Sequence, residues 1–271
     1  MGTLRIETEN RIGRLIIDNP ARRNALSVEM WRTFPEYVQR LDADPETRVI
    51  LLRGAGEKAF ASGADISEFE TVRADPEMAE LYNRYTMGAF RALRDCSKPV
   101  IAVIRGFCMG GGWALALNCD LRMAAWDARF SIPAAKLGLA LEYENVKQLA
   151  DIAGPAMARE VLFTARVYTA EEIHPRGLLH HLVEPEELDQ AAHDYAQSIA
   201  ANAPLSVRYS KIALREYSSD LRSNNDSDET NTGAAQSPIT RAAMADAFAS
   251  EDYREGYRAF LEKRKPEFRG R

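Results

Sequence analysis

Arg105-Gly106-Phe107-Cys108-Met109-Gly110-Gly111-Gly112-Trp113-Ala114-Leu115-Ala116-Leu117 is the stretch that decides the architecture. It follows Val100-Ile101-Ala102-Val103-Ile104, a continuous apolar run of the kind expected for a strand buried on both faces. The strand ends at Gly106, three glycines follow, and a strongly apolar helix begins. The first amides of such a helix have no intrahelical partners and lie at the positive end of its dipole. An anion is favoured there. Neither G-x-x-x-x-G-K-[ST] nor G-x-G-x-x-G is present, so the usual phosphate-cradling loops are excluded. Two readings stay open: an amide donor for a single developing oxyanion, or a close-packing device.

Working outward, the strand-then-glycine pattern occurs earlier at Val49-Ile50-Leu51-Leu52-Arg53-Gly54. A helix from about Pro76 to Asp95 separates the two strands, and Leu121 to Ala125 is a third strand candidate. Strands alternating with helices imply parallel pairing through crossover connections, hence the α/β class. Ahead of these, Leu4 to Thr8 and Ile12 to Ile17 alternate around a turn at Glu9-Asn10-Arg11, as in a hairpin. Ser27 is a candidate N-cap for a helix from about Val28 to Leu41. The second half reads as helical over Tyr143 to Ala153, Pro155 to Thr164, Glu186 to Asn202, Pro204 to Tyr217 and, with a break, Ile239 to Lys265. We divide the chain into a core at 1–200 and a helical C-terminal region at 201–271, the latter including a polar loop at about 222–238.

Composition narrows the function. With 271 residues and a net charge of −5, the chain is long enough for one large domain and is not expected to bind nucleic acid. Its apolar runs are too short to span a bilayer, so no membrane association is expected. Strand-like alternation begins at once near Thr3, so no secretory signal is expected. Cys96, Cys108 and Cys119 lack C-x-x-C spacing, which argues against disulfides or a metal site and for a reducing cytoplasm.

A second stretch, Lys58-Ala59-Phe60-Ala61-Ser62-Gly63-Ala64-Asp65-Ile66, places small residues after a buried strand and lets a ligand approach the backbone. Taken together, F-A-S-G-A-D-I and the later P-V-I-A-V-I-R-G-F-C-M-G-G-G closely resemble the crotonase, or enoyl-CoA hydratase/isomerase, superfamily. N-P-A-R-R-N-A-L at Asn19 to Leu26, N-C-D at Asn118 to Asp120, R-F-S-I-P at Arg129 to Pro133 and E-G-Y-R-A-F-L-E-K-R-K near the C-terminus extend the resemblance over most of the chain. It implies a crotonase-like ββα spiral core with a C-terminal helical trimerisation region, as a homotrimer or homohexamer. It also implies an acyl-CoA substrate, with coenzyme A entering as part of the thioester and no permanently bound cofactor. The family's oxyanion-hole amides fall on Ala64 and Gly111. Arg22 and Arg23 lie where the family wraps the CoA nucleotide, and Phe260 and Lys263 match positions that touch its adenine end.

The sequence also departs from that pattern. Hydratases of the superfamily carry two glutamates where this chain has Ala114 and Ala134. Neither alanine can move a proton, so two-carboxylate water addition cannot operate in its usual form. Glu142, eight positions beyond Ala134, falls where other branches of the family, dienoyl-CoA isomerases and aryl-CoA dehalogenases among them, place a working carboxylate. We expect Glu142 to be catalytic and Glu144 to complement a helix dipole. Tyr143 is a secondary candidate as donor or pocket wall; Glu68 and Glu70 are read as an exposed helix face ahead of a second acid, and Trp113 equally as acyl-pocket lining or as core packing. Asp65 is expected to order its loop and Asp120 to tie down a turn, and the four histidines are assigned no role. The expected activity is enolate-stabilising proton transfer on an enoyl-CoA. A hydrolase or decarboxylase, and a catalytically silent acyl-CoA binder, are the alternatives.

Overall fold

The computed structural model describes residues 2–72, 74–223 and 237–271, so most of the polar loop expected at 222–238 lies outside the described residues. The chain opens with the hairpin of β1 (Thr3–Glu9) and β2 (Ile12–Asp18), whose turn residues Asn10 and Arg11 are both left-handed, as a two-residue hairpin of matching twist requires. Ser27 caps α1 (Val28–Ala43) by accepting from the Met30 amide.

Three strand pairs then follow one another: β3 (Val49–Gly54) with β4 (Ala59–Ala61), β5 (Val100–Ile104) with β6 (Phe107–Met109), and β7 (Leu121–Ala125) with β8 (Arg129–Ser131). The first two are separated by α2 (Phe69–Val72) and α3 (Pro76–Asp95), the last two by α4 (Gly111–Leu117). Within each pair the chain leaves one sheet and enters another. The larger sheet runs β1-β2-β3-β5-β7-β10, with β10 at His181–Val183, and is parallel from β2 onward. The smaller runs β4-β6-β8-β9, with β9 at Tyr168–Thr169 pairing antiparallel.

The apolar runs of β3 and β5 are continuous because both faces are buried. Ile50, Leu52, Val100, Ala102 and Ile104 belong to the main core with α1 and α3. Val49, Leu51, Ile101 and Val103 face a second core built on Leu188, Ala192, Ala196 and Ala200 of α7 (Leu188–Ala200). In chain order, α5 (Tyr143–Thr164) and α6 (Ala170–Ile173) fall between β8 and α7. A non-helical Gly154 kinks α5 between the two segments expected there. The helices α8 (Pro204–Ser223), α9 (Pro238–Ala249) and α10 (Glu251–Glu262) end the chain, the last two meeting at Ser250. Among the described residues no helix is long and apolar enough to cross a membrane.

The strands missed in the sequence are β4, β6, β8, β9 and β10, each two or three residues long and too short to show a period. They pair where the backbone is tightly packed. Gly106, with φ +61°, sits so close to the preceding turn that an added Cβ would lie 2.1 Å from the Lys58 carbonyl oxygen. Asp120 does more than tie down a turn. Its Oδ2 accepts from the Val100 amide at 2.7 Å and from Lys211 Nζ of α8 at 2.7 Å, locking the start of β5 to the C-terminal helices.

Gly106→Ala should therefore lower stability in urea denaturation by more than about 2 kcal/mol, combining left-handed strain with a backbone clash. Gly138→Ala is the control, having φ +66° and no atom within 4 Å of the added Cβ. It should cost only about 1 kcal/mol.

Candidate active site

The two small-residue stretches meet. Leu26 and Ala64 form a parallel bridge in which the Leu26 amide donates to the Gly63 carbonyl (2.8 Å) and the Asp65 amide to the Leu26 carbonyl (2.9 Å). Those bonds use the neighbours of Ala64 and turn its own N–H to the other edge of the strand. Gly110 is the N-cap of α4 and its amide donates to the Ser131 carbonyl at 2.8 Å. Gly111 is thus the first helical residue, with an amide beyond the reach of the helix's own carbonyls. A Cβ on Gly63, whose φ is +95°, would lie 3.2 Å from the Gly111 nitrogen. The loops of Ala64 and Gly111 touch because neither carries bulk at the contact.

Both residues line one cavity, which with its mouth holds about 1070 Å³ of space unfilled by protein. Its walls are mainly apolar, as expected for a small-molecule site. Trp31, Phe69, Tyr82 and Phe90 supply the aromatic part, and Leu117, Ile132, Leu139 and Leu141 the aliphatic part. Ala114 and Ala134 line it too, so no carboxylate enters from those two positions. Among the described lining residues Glu142 is the sole carboxylate. It stands at the N-cap position of α5 without a side-chain cap bond, and its Oε1 accepts from Asn83 Nδ2 of α3 at 2.7 Å. Glu144, by contrast, is gripped by Arg91 (2.5 Å) and Arg94 (3.1 Å). The Arg91 hydrogen bond above all holds its carboxyl below the usual range.

The structure decides between the readings left open for several other residues. Trp113 is fully buried against Phe130 and Tyr168 and does not line the cavity, and Trp31 from α1 stands there instead. Tyr143 is 76% exposed and turned away from the cavity wall. Glu68 Oε2 accepts from the Val28 amide and so caps α1, and neither it nor Glu70 lines the cavity. Asp65 orders its loop as expected, accepting from the Ser67 amide and hydroxyl and from Arg22. Burial pushes its carboxyl up, but the hydrogen bonds of Ser67 and Arg22 outweigh that and hold it below the ordinary value.

The residues expected around the nucleotide are not brought together within this one chain. Arg22 lies beside the Ala64 loop, engaged by Asp65 and Ser67. Arg23, in a left-handed conformation, stacks its guanidinium 4.9 Å from the Phe107 ring centre, in a separate groove with Lys58, Arg105 and Arg129. Phe260 is 81% exposed on α10 and Lys263 is the C-cap of that helix, and neither lines the cavity. Asn83, Thr86 and Phe90 of α3, together with Asn118, Asn145 and Gln148, escaped the sequence reading. The spacing of 83, 86 and 90 is helical, but nothing in it distinguishes a cavity-facing from a solvent-facing stripe.

Asp65 gives a pH prediction. Its folded pKa is depressed, so its stabilisation is complete above the unfolded value of about 3.9 and is lost as pH falls through the folded value. Asp65→Asn should lower stability at neutral pH, and the gap to wild type should narrow as pH falls below the unfolded value of about 3.9. Chemical denaturation at neutral and acidic pH checks this, and a gap independent of pH would contradict it.

The enoyl-CoA hydratase/isomerase family model matches residues 7–271. A short-chain-enoyl-CoA hydratase of Clostridium acetobutylicum is 34% identical over 265 residues, covering 97% of this chain and 95% of that protein. A peroxisomal Delta(3,5)-Delta(2,4)-dienoyl-CoA isomerase of Arabidopsis thaliana is 33% identical over 276 residues, with 98% and 95% covered. The crystal structure of an enoyl-CoA hydratase/carnithine racemase from Magnetospirillum magneticum superposes with a TM-score of 0.89 at 36% identity, over 100% of this chain and 97% of that one. The chain belongs to the enoyl-CoA hydratase/isomerase family and has its crotonase-type α/β fold.

Proposed function

We propose that this chain binds an enoyl-CoA thioester and moves a proton at its α or γ carbon, with Glu142 as the acid/base. The amides of Ala64 and Gly111 receive the thioester oxygen as negative charge builds on it. Preorganised donors of this kind are each worth ~3 kcal/mol in a transition state. The observation that carries the reading is that Glu142 is the sole carboxylate among the described residues lining the cavity shared by those amides. Ala114 and Ala134, where the hydratase pattern has glutamates, contribute only methyl groups. One carboxylate beside one oxyanion site suits a double-bond shift, in which a single base removes a proton and returns it elsewhere. It also suits a hydration in which Glu142 alone handles the water.

Coenzyme A is part of the substrate in this scheme. Arg22 and Arg23 are assigned to its nucleotide portion. Phe260 and Lys263 are assigned to the adenine end of a neighbouring subunit's substrate, in a homotrimer or a dimer of trimers. The exposure of Phe260 and its absence from the lining of its own chain's cavity support that assignment. The three buried, unpaired cysteines fit a reducing cytoplasm.

Glu142→Gln should reduce turnover, and solvent-deuterium exchange into the bound acyl group, by at least about 100-fold. Acyl-CoA affinity should change little. The check is mass and NMR analysis across short, branched, aromatic and long enoyl-CoAs, and exchange at the wild-type rate in the variant would refute the role. An acyl adduct trapped on Glu142 would replace proton transfer with nucleophilic catalysis, and binding without turnover of any thioester would mark a silent binder. Light scattering should return three or six times the 30.3 kDa chain mass.

A further inference from the structure

Two carboxylates only two residues apart in sequence meet α3 in different ways. Glu144 is held by two guanidiniums, Arg91 and Arg94, which both fix it and favour its ionised form. Glu142 is held by a neutral amide, that of Asn83, one turn or more nearer the start of the same helix. The difference is chemical. A guanidinium pins a carboxylate as an anion, whereas an amide orients it without adding positive charge.

The backbone explains why such a partner is needed. Glu142 occupies the N-cap position of α5, with φ −57° and ψ 139°, yet its side chain makes no cap bond to its own helix. Its backbone carbonyl accepts from the Asn145 and Val146 amides, so the main chain is anchored while the side chain is left to find a partner elsewhere. An exposed glutamate on a helix end samples several rotamers, and ordering it costs entropy. Asn83 takes Oε1 and leaves Oε2 for a substrate proton. Asn83 is itself held on a rigid support, since α3 is 20 residues long and packs on α1 through the edge-to-face contact of Trp31 with Phe90. The Arg91–Glu144–Arg94 clamp, two turns further along α3, fixes the spacing between the helices on which the Asn83–Glu142 bond depends.

We propose that Asn83 is the positioning residue for Glu142, and that the face of α3 carrying Asn83, Arg91 and Arg94 sets the register of the working carboxylate in the cavity. The inference rests on the proton-transfer role assigned to Glu142. Among the described residues, the charged groups nearest in sequence and helix contact to the Asn83–Glu142 pair are Glu144 on α5, Arg91 and Arg94 on α3 and Lys136 on the turn before α5, and Tyr82 on α3 is the other titratable side chain lining the cavity.

The test is a series at position 83 beside Glu142→Gln, assayed with the enoyl-CoA turned over by the wild-type enzyme. Asn83→Ala should lower kcat about tenfold or more with KM within about threefold, as expected for loss of one hydrogen bond to a charged group. Asn83→Gln keeps the donor and should recover part of that loss. Asn83→Asp puts two carboxylates in contact, and the acidic limb of the kcat profile should move to higher pH. In the Glu142→Gln background, Asn83→Ala should cost nothing further. A merely structural asparagine would lower thermal stability without moving the pH limb and would give additive losses in the double variant. Wild-type kcat and pH profile in Asn83→Ala and Asn83→Asp, with Glu142→Gln inactive, would overturn the positioning role and leave the catalytic one standing. An active Glu142→Gln enzyme would instead overturn the catalytic role on which the positioning rests.

Discussion

The structure depends on backbone running against backbone with no side chain between. Each time the chain turns from the larger sheet into the smaller, it passes within hydrogen-bond distance of an earlier turn. At Gly106 an added Cβ would lie 2.1 Å from the Lys58 carbonyl oxygen, and where α4 packs on β4 a Cβ on Gly112 would lie 2.3 Å from that of Ala61. These distances are far below contact, so glycine is the residue that permits the crossing. The same crossings stack β4, β6 and β8 into a sheet of three-residue strands, too short to stand without this close support.

Close approach also creates the chemistry. Where the Gly63 loop meets the start of α4, the backbone is bare of bulk and amides at the contact are turned from their own ladders. Unpaired amides are costly in an apolar interior unless something accepts from them. A ligand oxygen serves that purpose, and the apolar walls of Trp31, Phe90 and Leu117 raise the strength of such a bond by keeping water away. On the proposed function, the fold's packing constraint and its oxyanion site are one arrangement seen from two sides.

Around that constant feature, the polar groups of the cavity come from elements that the glycine crossings do not govern. Glu142 arrives at the N-cap of α5, Asn83 on α3 and Asn118 at the end of α4. In the proposed function, this separation lets a chain with alanine at 114 and 134 keep the amides in place while its acid/base enters from another helix. The Arg91–Glu144–Arg94 pairs join the two helices, so the proposed proton chemistry would rest on helix packing and the proposed oxyanion geometry on strand crossing.

The sequence by itself determined the parts governed by local rules. Apolar runs at 49–52 and 100–104 mark strands buried twice over, Ser27 marks the start of α1, Gly154-Pro155 marks the kink of α5, and the two glycine-bearing motifs mark the loops that meet. Each leaves a signal within a few residues, because hydrophobic period, capping and left-handed geometry act at that range. What only the tertiary structure decided is which of several equivalent side chains faces the cavity. Trp31 and Trp113 are both apolar helical residues, yet one lines the site and the other is core. Glu142, Glu144, Glu68 and Glu70 are chemically alike, yet one reaches the cavity, one is clamped by arginines, one caps a helix and one lies away from the site. Orientation about a helix axis is set by what packs against it from distant sequence, and no local pattern carries that information.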